Sequence, residues 1–140
     1  MPTEQPLPLV HTFVVCREIF QDNLTGEYIL LGPTDGFNVP EFPFTISFAV
    51  YVLLTEVRGD VYPEYRLNDS DGETVWSYLS PDPIPHNDPF TRHRIRVNAS
   101  APIPRPGRHD LLLLVHGNEI ARYPLRIEQI ELPGEAPPSE

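Results

Sequence analysis

The clearest pattern in the sequence is a strict alternation of large apolar residues with smaller or polar ones over residues 44–55. The apolar positions are Phe44, Ile46, Phe48, Val50, Val52 and Leu54. Successive side chains of a β-strand point to opposite faces of its sheet, so a period of two places all of these side chains on one face. The pattern predicts a long strand whose apolar face belongs to the core.

Several other segments have the β-branched and aromatic composition, or the alternation, of short strands. They lie at residues 9–20, 27–32, 62–68, 73–79, 91–98, 109–116 and 119–130. Residues 22–26, 69–72 and 117–118 carry the Asp, Asn, Ser and Gly that are typical of tight turns between paired strands. A short helix near 14–21 is the alternative for the end of the first segment.

Proline is the most informative single count, because 18 prolines are spread along the chain. Each proline removes a backbone donor and fixes φ, which leaves little room for long helices. Proline-rich connections are expected at residues 33–43, 80–90 and 101–107. The sequence therefore predicts an all-β fold: a single antiparallel two-sheet sandwich, immunoglobulin-like in the broad sense, with seven or eight strands.

The length of 140 residues suits one domain. We predict a β-sandwich domain over residues 9–131. The Pro-rich N-terminus, residues 1–8, and the acidic C-terminal tail, residues 132–140, have little to bury and are predicted to be disordered.

Charge and cysteine content narrow the classes of partner and compartment. The net charge is −10, and all ten basic residues are Arg, which disfavours binding to nucleic acid or to an anionic membrane surface. Arg92, Arg94 and Arg96 alternate and could form an anion-binding stripe, although a solvated strand face is the simpler interpretation.

Cys16 is the single cysteine, so an internal disulfide and a Cys-based zinc site are excluded. Without a secretory signal or a run of about 18 apolar residues, we expect a cytoplasmic protein.

Several short motifs resemble those of a family of small uncharacterised bacterial proteins, a domain of unknown function. The motifs are Val-Val-Cys-Arg-Glu-Ile at 14–19, Thr-Gly-Glu at 25–27, Ile-Leu-Leu-Gly at 29–32, Val-Pro-Glu-Phe-Pro at 39–43 and Pro-Gly-Arg-His at 106–109, followed by Gly117. The resemblance covers residues 10–130 and implies a β-sandwich without implying an activity. One departure is that residues 111–115 are entirely apolar, where the family is expected to carry a polar residue.

No motif for catalysis, cofactor binding or metal binding is complete. Asp69, Asp71 and Glu73 surround Gly72, but an EF-hand loop aligned on that glycine would lack its first and last carboxylates. A plain β-turn is the simpler interpretation, and calcium held by end loops with Asp82 and Asp88 is the alternative. The five histidines show no metal-binding spacing, and no nucleophile elbow or phosphate-binding glycine loop is present.

Two aromatic residues could form a ligand platform. Trp76 and Tyr78 share one face of the strand at 73–79, and if that face pointed outward their rings could stack on a sugar. Packing of Trp76 in the core is the other interpretation.

Leu112 and Leu114 are the candidate partner interface. Residues 111–115 read Leu-Leu-Leu-Leu-Val, and a strand of a two-layer sandwich buries only one face. If Leu111, Leu113 and Val115 point inward, Leu112 and Leu114 point outward. The pair is then either an interface, most simply that of a homodimer, or covered by a neighbouring loop.

Taken together, these features predict a non-enzymatic protein-binding or scaffold domain. Its specificity would lie in the loops at 33–43 and 80–90 or on the Leu112/Leu114 face. The alternatives are a module that binds carbohydrate or calcium and a hydrolase whose site is assembled only by the fold.

Overall fold

The computed structural model of the chain describes residues 6–85 and 88–130. Within them there is no helix, and nine strands form two sheets. The strands are β1 (Leu9–Gln21), β2 (Tyr28–Pro33), β3 (Gly36–Val39), β4 (Phe44–Thr55), β5 (Glu64–Asn68), β6 (Thr74–Leu79), β7 (His93–Ile103), β8 (Gly107–Val115) and β9 (Asn118–Gln129). The predicted all-β class is confirmed.

The strands form a sandwich-like pair of sheets, one with the order β2-β1-β4-β7 and the other with the order β3-β9-β8-β5-β6. All strand pairs are antiparallel except β3 with β9, which is parallel. The prediction of seven or eight antiparallel strands was therefore wrong. The structure has one further strand, β3, and that strand is parallel to its neighbour. This strand lies inside the connection predicted at 33–43, and it is held by a long-range pairing with Arg126–Gln129 of β9.

The main core lies between the two sheets, and the alternating residues of β4 supply much of it. Five of them, Ile46, Phe48, Val50, Val52 and Leu54, are at most 3% exposed. The Phe48 ring lies at the centre of an aromatic group, 5.9 Å from Trp76 and 6.1 Å from Phe37 between ring centroids. Burial of large apolar side chains at this density is the main stabilising term of the fold.

Strand β1 is shared between two partners. It pairs with β4 from Leu9 to Cys16, and from Cys16 to Gln21 it pairs with β2. The last pair with β4 joins Cys16 to Ala49. Beyond it, the β1–β2 hairpin has a small apolar cluster of its own, separate from the main core. The buried members of that cluster are Cys16, Ile19 and Ala49.

The predicted domain limits at 9 and 131 are not tested by these residues. β1 begins at Leu9, whereas residues 1–5 and 131–140, which include the predicted tail 132–140, lie outside the described part of the chain. Within residues 6–85 and 88–130, no helix is long and apolar enough to cross a membrane.

Gly36 allows the close approach of β3 to β9. A Cβ atom at this position would clash with the backbone carbonyl oxygen of Arg126, which pairs with Gly36 in the parallel ladder. A backbone atom cannot swing aside as a flexible side chain can. The absence of a side chain at Gly36 is therefore a condition for this strand pair.

Replacing Gly36 with alanine should destabilise the protein by about 2 kcal/mol, because the backbone of β3 or β9 must shift to admit the methyl group. Chemical denaturation of Gly36→Ala against wild type measures the difference. Asn38→Ala, at an exposed position of the same strand, is the matched control and should change stability by less than about 0.5 kcal/mol. Equal stability of the two variants would contradict this role for Gly36.

His93 is a titratable group at the beginning of β7, paired with Leu54 of β4. Its Nε2 atom is buried and has no hydrogen-bond partner among the described residues. Desolvation by burial lowers the pKa of His93 below its ordinary value of 6.5, because a charged imidazolium is disfavoured away from water.

The stability of the fold should therefore fall as the pH falls below about 6.5, since the unfolded chain takes up a proton that folded His93 resists. His93→Leu should remove this part of the pH dependence. The free energy of unfolding of both proteins, measured between neutral and mildly acidic pH, gives the comparison. A His93→Leu slope equal to that of wild type would contradict the assignment.

Candidate interaction surface

Exposed large apolar residues concentrate on the β1–β2 hairpin. Phe20 is 48%, Leu24 94%, Ile29 49% and Leu31 46% exposed. Phe20 and Ile29 are directly paired across the two strands, and Leu31 lies two residues beyond Ile29 on the same side of β2. Three of these side chains thus form one continuous face, which we call the hairpin face: Phe20, Ile29 and Leu31.

A well-bonded turn closes the hairpin. The Asp22 carboxylate accepts hydrogen bonds from the Thr25 amide at 3.0 Å and the Thr25 hydroxyl at 2.6 Å. The Gly26 amide donates to Asp22 O at 2.8 Å, and Gly26 has a φ of 76°, which glycine adopts without strain. The bonds from Thr25 lower the pKa of the Asp22 carboxyl. The turn chemistry therefore fixes the register of β1 and β2.

The opposite side of the hairpin is anchored to the four-stranded sheet. Tyr28 and Leu30 pack with Ile19 against the cluster formed by Cys16 and Ala49. The Tyr28 ring also meets the Tyr51 ring edge-on, with centroids 5.8 Å apart.

Arg96, on β7, contacts the same side of the hairpin. Its guanidinium carbon lies 6.0 Å from the centroid of the Tyr28 ring, and its Nη1 donates to Ile19 O at 3.4 Å. Such cation–π contacts contribute about 0.5–1 kcal/mol at exposed sites. Contacts on the Tyr28 and Leu30 side thus fix the hairpin to the sheet. The opposite face is therefore exposed on a well-packed element and not on a loose one.

A cleft adjoins the hairpin where β1 separates from β4. Its volume is about 420 Å³, and its wall includes Arg17 and Phe20 on one side and Ser47, Asn98 and Ser100 on the other. Phe20 therefore borders both the cleft and the hairpin face.

Leu112 and Leu114, the predicted interface, are only 7% and 6% exposed. Their neighbours Leu111, Leu113 and Val115 belong to the main core, whereas Leu112 and Leu114 do not, so the predicted division of the strand into two faces is present. The expected exposed pair of leucines is nevertheless absent. Burial within the single chain gives an interface at this face no support.

Charged side chains of the adjacent strands flank these two leucines. Leu112 lies between Arg66 and Arg122 in the register, and Leu114 lies between Glu64 and Glu119. Each arginine binds the glutamate of its own strand, Arg66 to Glu64 at 2.7 Å and Arg122 to Glu119 at 2.8 Å. The methylene stems of these residues can cover apolar surface while their charged ends reach water. Side chains of the same chain therefore cover Leu112 and Leu114, and no partner molecule is needed to bury them.

Trp76 and Tyr78, the predicted ligand platform, are turned toward the sandwich interior. Trp76 packs against the main core, in edge contact with Phe48 of the other sheet. Tyr78 is 40% exposed at the strand edge, and its ring stacks on that of buried Tyr65 at 6.3 Å. Trp76 therefore does not meet the condition of an outward-facing platform, and the core-packing interpretation of Trp76 describes the structure.

The acidic group around Gly72 forms a closed turn. Asp69 Oδ1 accepts from the amides of Asp71 at 2.9 Å and Glu73 at 3.0 Å, and Asp69 Oδ2 accepts from Arg105 at 3.0 Å. Burial opposes ionisation of Asp69, but these bonds outweigh it and lower the pKa of its carboxyl overall. The Asp69 oxygens are thus engaged by protein donors, as expected for a β-turn.

The remaining candidates do not converge on a site. Arg92, Arg94 and Arg96 are exposed, as on a solvated face. Cys16 is fully buried, and burial raises the pKa of its thiol, which suppresses the reactive thiolate. His86 and Asn87 lie outside the described residues. Among residues 6–85 and 88–130, no three His, Cys, Asp or Glu side chains are grouped so as to hold a metal ion.

The hairpin face was not predicted from the sequence, although a signal for it exists. Residues 28–31 read Tyr-Ile-Leu-Leu, which makes both faces of β2 apolar, as in the run at 111–115. On an edge strand, one such face has few neighbours to cover it. The loops at 33–43 and 80–90 were expected instead to carry specificity.

Comparison with known proteins places the chain in a family. A model described as a family of unknown function, DUF6941, matches residues 11–128, which confirms the resemblance to an uncharacterised family. No curated protein matches the chain.

A solved structure, that of Pseudomonas fluorescens alkylpurine DNA glycosylase AlkC bound to DNA containing an abasic site analog, resembles this chain with a TM-score of 0.48 and 13% identity. The match covers 86% of this chain and 30% of the glycosylase chain. This chain thus spans less than a third of the length of that protein.

Truncation of either covered leucine should affect folding and leave self-association unchanged. Leu112→Ala and Leu114→Ala should each cost about 2 kcal/mol of unfolding free energy, because each removes buried methyl groups. Denaturation and light scattering on the same samples measure both properties. Leu79→Ala, at a 60% exposed position, is the control. A changed oligomeric mass at wild-type stability would restore the predicted interface.

Proposed function

The chain belongs to the family of unknown function DUF6941, and we propose that it is a non-enzymatic protein-binding domain whose β1–β2 hairpin contacts the partner. One observation carries the proposal: Phe20, Ile29 and Leu31 form a contiguous apolar face, each nearly half exposed, on an element that is otherwise well packed. Contiguous exposed apolar side chains favour a partner, whereas single ones need no explanation.

The rigidity of the hairpin supports binding by a preformed surface. A partner need not order a flexible loop, because the Asp22 turn and the packing of Tyr28 and Leu30 already fix the strands. Preorganisation of this kind reduces the entropic cost of association. Exposed Leu24, at the turn, extends the apolar surface at the tip.

The acidic charge favours proteins over nucleic acids or anionic membranes as partners. With a net charge of −10, the field around the chain repels phosphate. The proposal includes a cytoplasmic location in a bacterial cell, an immunoglobulin-like relationship of the sandwich in the broad sense, and either a different protein or a second copy of the chain as the bound molecule.

The other functions considered from the sequence have less support. A sugar platform would need Trp76 to face outward, but its ring contacts Phe48. A calcium site at the Gly72 turn would compete with the backbone amides and Arg105 for the Asp69 carboxylate. A cysteine hydrolase would need an accessible thiol, and the single cysteine, Cys16, is fully buried.

Polar substitutions on the hairpin face should abolish capture of the partner without unfolding the domain. The measurement is affinity capture of partner proteins from the native cell. We expect the double variant Ile29→Ser, Leu31→Ser to fail to capture a protein that the wild type captures. Both side chains are half exposed, so the melting temperature should change little. The matched control is Leu79→Ser, an exposed leucine on the edge strand of the other sheet. Capture that survives the hairpin variant but not the control would contradict the proposal.

A further inference from the structure

The open edge of β2 is suited to accept another strand. Strand β2 is the outermost strand of its sheet and pairs with β1 on one side. We propose that it binds an extended partner segment as an added strand, one in which apolar side chains alternate with others and cationic side chains flank the apolar ones. This inference rests on the proposed protein-binding function and specifies the mode and chemistry of the contact.

The hydrogen-bond pattern of the hairpin identifies the backbone groups that would be used. The Asp22 amide donates to Glu27 O at 2.8 Å, which makes Asp22 and Glu27 a hydrogen-bonded pair. Bonded and non-bonded pairs alternate along an antiparallel ladder. Phe20 and Ile29 are therefore also a bonded pair, and the N–H and C=O groups of Tyr28 and Leu30 point away from β1 toward the open edge.

Two of the other three edges of the sandwich, those of β7 and β3, are less suited to an added strand. Natural edge strands are commonly protected by charge, proline or shortness. Strand β7 carries Arg94, Arg96 and Pro102, and β3 has only four residues. Strand β2 has no charged residue between Tyr28 and its terminal Pro33. Strand β6, the remaining edge, likewise has no charged residue or proline between Thr74 and Leu79. What distinguishes β2 from β6 is the hairpin face of Phe20, Ile29 and Leu31.

Two acidic side chains border the hairpin face. Glu18 lies directly opposite Leu31, and Glu27 precedes Tyr28 at the other end of β2; both are exposed. Arg17, the one arginine of the hairpin, is engaged elsewhere, with its guanidinium carbon 5.3 Å from the centroid of the Phe37 ring. Charge complementarity thus calls for Lys or Arg on the incoming segment beside Glu27 and near Glu18.

A second copy of the chain fits this edge less well. It would bring the same Glu18 and Glu27 to the contact and no free cation on the hairpin face, and each copy carries a net charge of −10. A segment from a different protein, with apolar side chains beside Ile29 and Leu31 and cations at its ends, satisfies both the edge and the charges.

Amide hydrogen exchange by NMR tests the proposal on the whole chain. The probe is the synthetic peptide Lys-Ser-Ile-Ser-Ile-Ser-Lys, in which both isoleucines and the two flanking lysines lie on one face of an added strand. At a peptide concentration about ten times its Kd, exchange at Tyr28 and Leu30 should slow about tenfold, with little change at Ile29 and Leu31, which already face β1. The same peptide with glutamate in place of both lysines should give no protection at Tyr28 or Leu30.

Charge reversal gives a second readout. Glu18→Lys combined with Glu27→Lys should weaken binding of the lysine peptide about fivefold or more, since the acidic charges at and near the added strand become repulsive, and should permit binding of the glutamate peptide. Glu41→Lys combined with Glu73→Lys, two exposed acidic positions away from the hairpin, changes the net charge equally and should leave the preference for lysine intact.

Several results would overturn strand addition by a cationic segment. Equal protection by both peptides would remove the charge specificity. Concentration-dependent protection of Tyr28 and Leu30 without peptide would make a second copy the occupant. If neither amide is protected while Ile29→Ser with Leu31→Ser still loses the captured protein, the partner uses the hairpin face alone; the proposed function then stands and strand addition is wrong.

Discussion

The functional surface of this domain depends on the divided pairing of β1. The first part of the strand belongs to the sandwich through β4, and after the Cys16–Ala49 pair its second part is paired with β2 alone. The small side chains at that point leave room for Ile19, Tyr28 and Leu30 to pack as a separate cluster. One side of the hairpin is thereby packed within the fold. The other side, which carries Phe20, Ile29 and Leu31, remains exposed and available for association.

The same apolar pattern leads to opposite outcomes on a central and on an edge strand. Strand β8 has β5 and β9 beside it, and their paired Arg and Glu residues flank Leu112 and Leu114 on both sides. Strand β2 has only β1 beside it, so Ile29 and Leu31 have cover from one side at most. Exposure is thus decided by the position of the strand in its sheet more than by the residues of the strand itself.

This difference explains how much of the molecule the sequence could predict. The alternation over residues 44–55 predicted β4 because a period of two is a local property, and the turn at residues 22–26 predicted the hairpin for the same reason. Strand β3 has too few residues for a period, and its existence depends on a parallel pairing with β9, far away in the chain. The cover over Leu112 likewise depends on the register that places Arg66 and Arg122 beside it, which no single segment contains.

Solvent exposure of leucine and isoleucine methyl groups tests the central claim most directly. In a methyl-labelled sample, a soluble paramagnetic probe should strongly broaden the signals of Ile29 and Leu31, which are about half exposed, and spare those of Leu112 and Leu114, which are less than a tenth exposed. Broadening of Leu112 and Leu114 to the same degree, or protection of Ile29 and Leu31 in the monomer, would contradict the assignment of the hairpin as the free apolar surface.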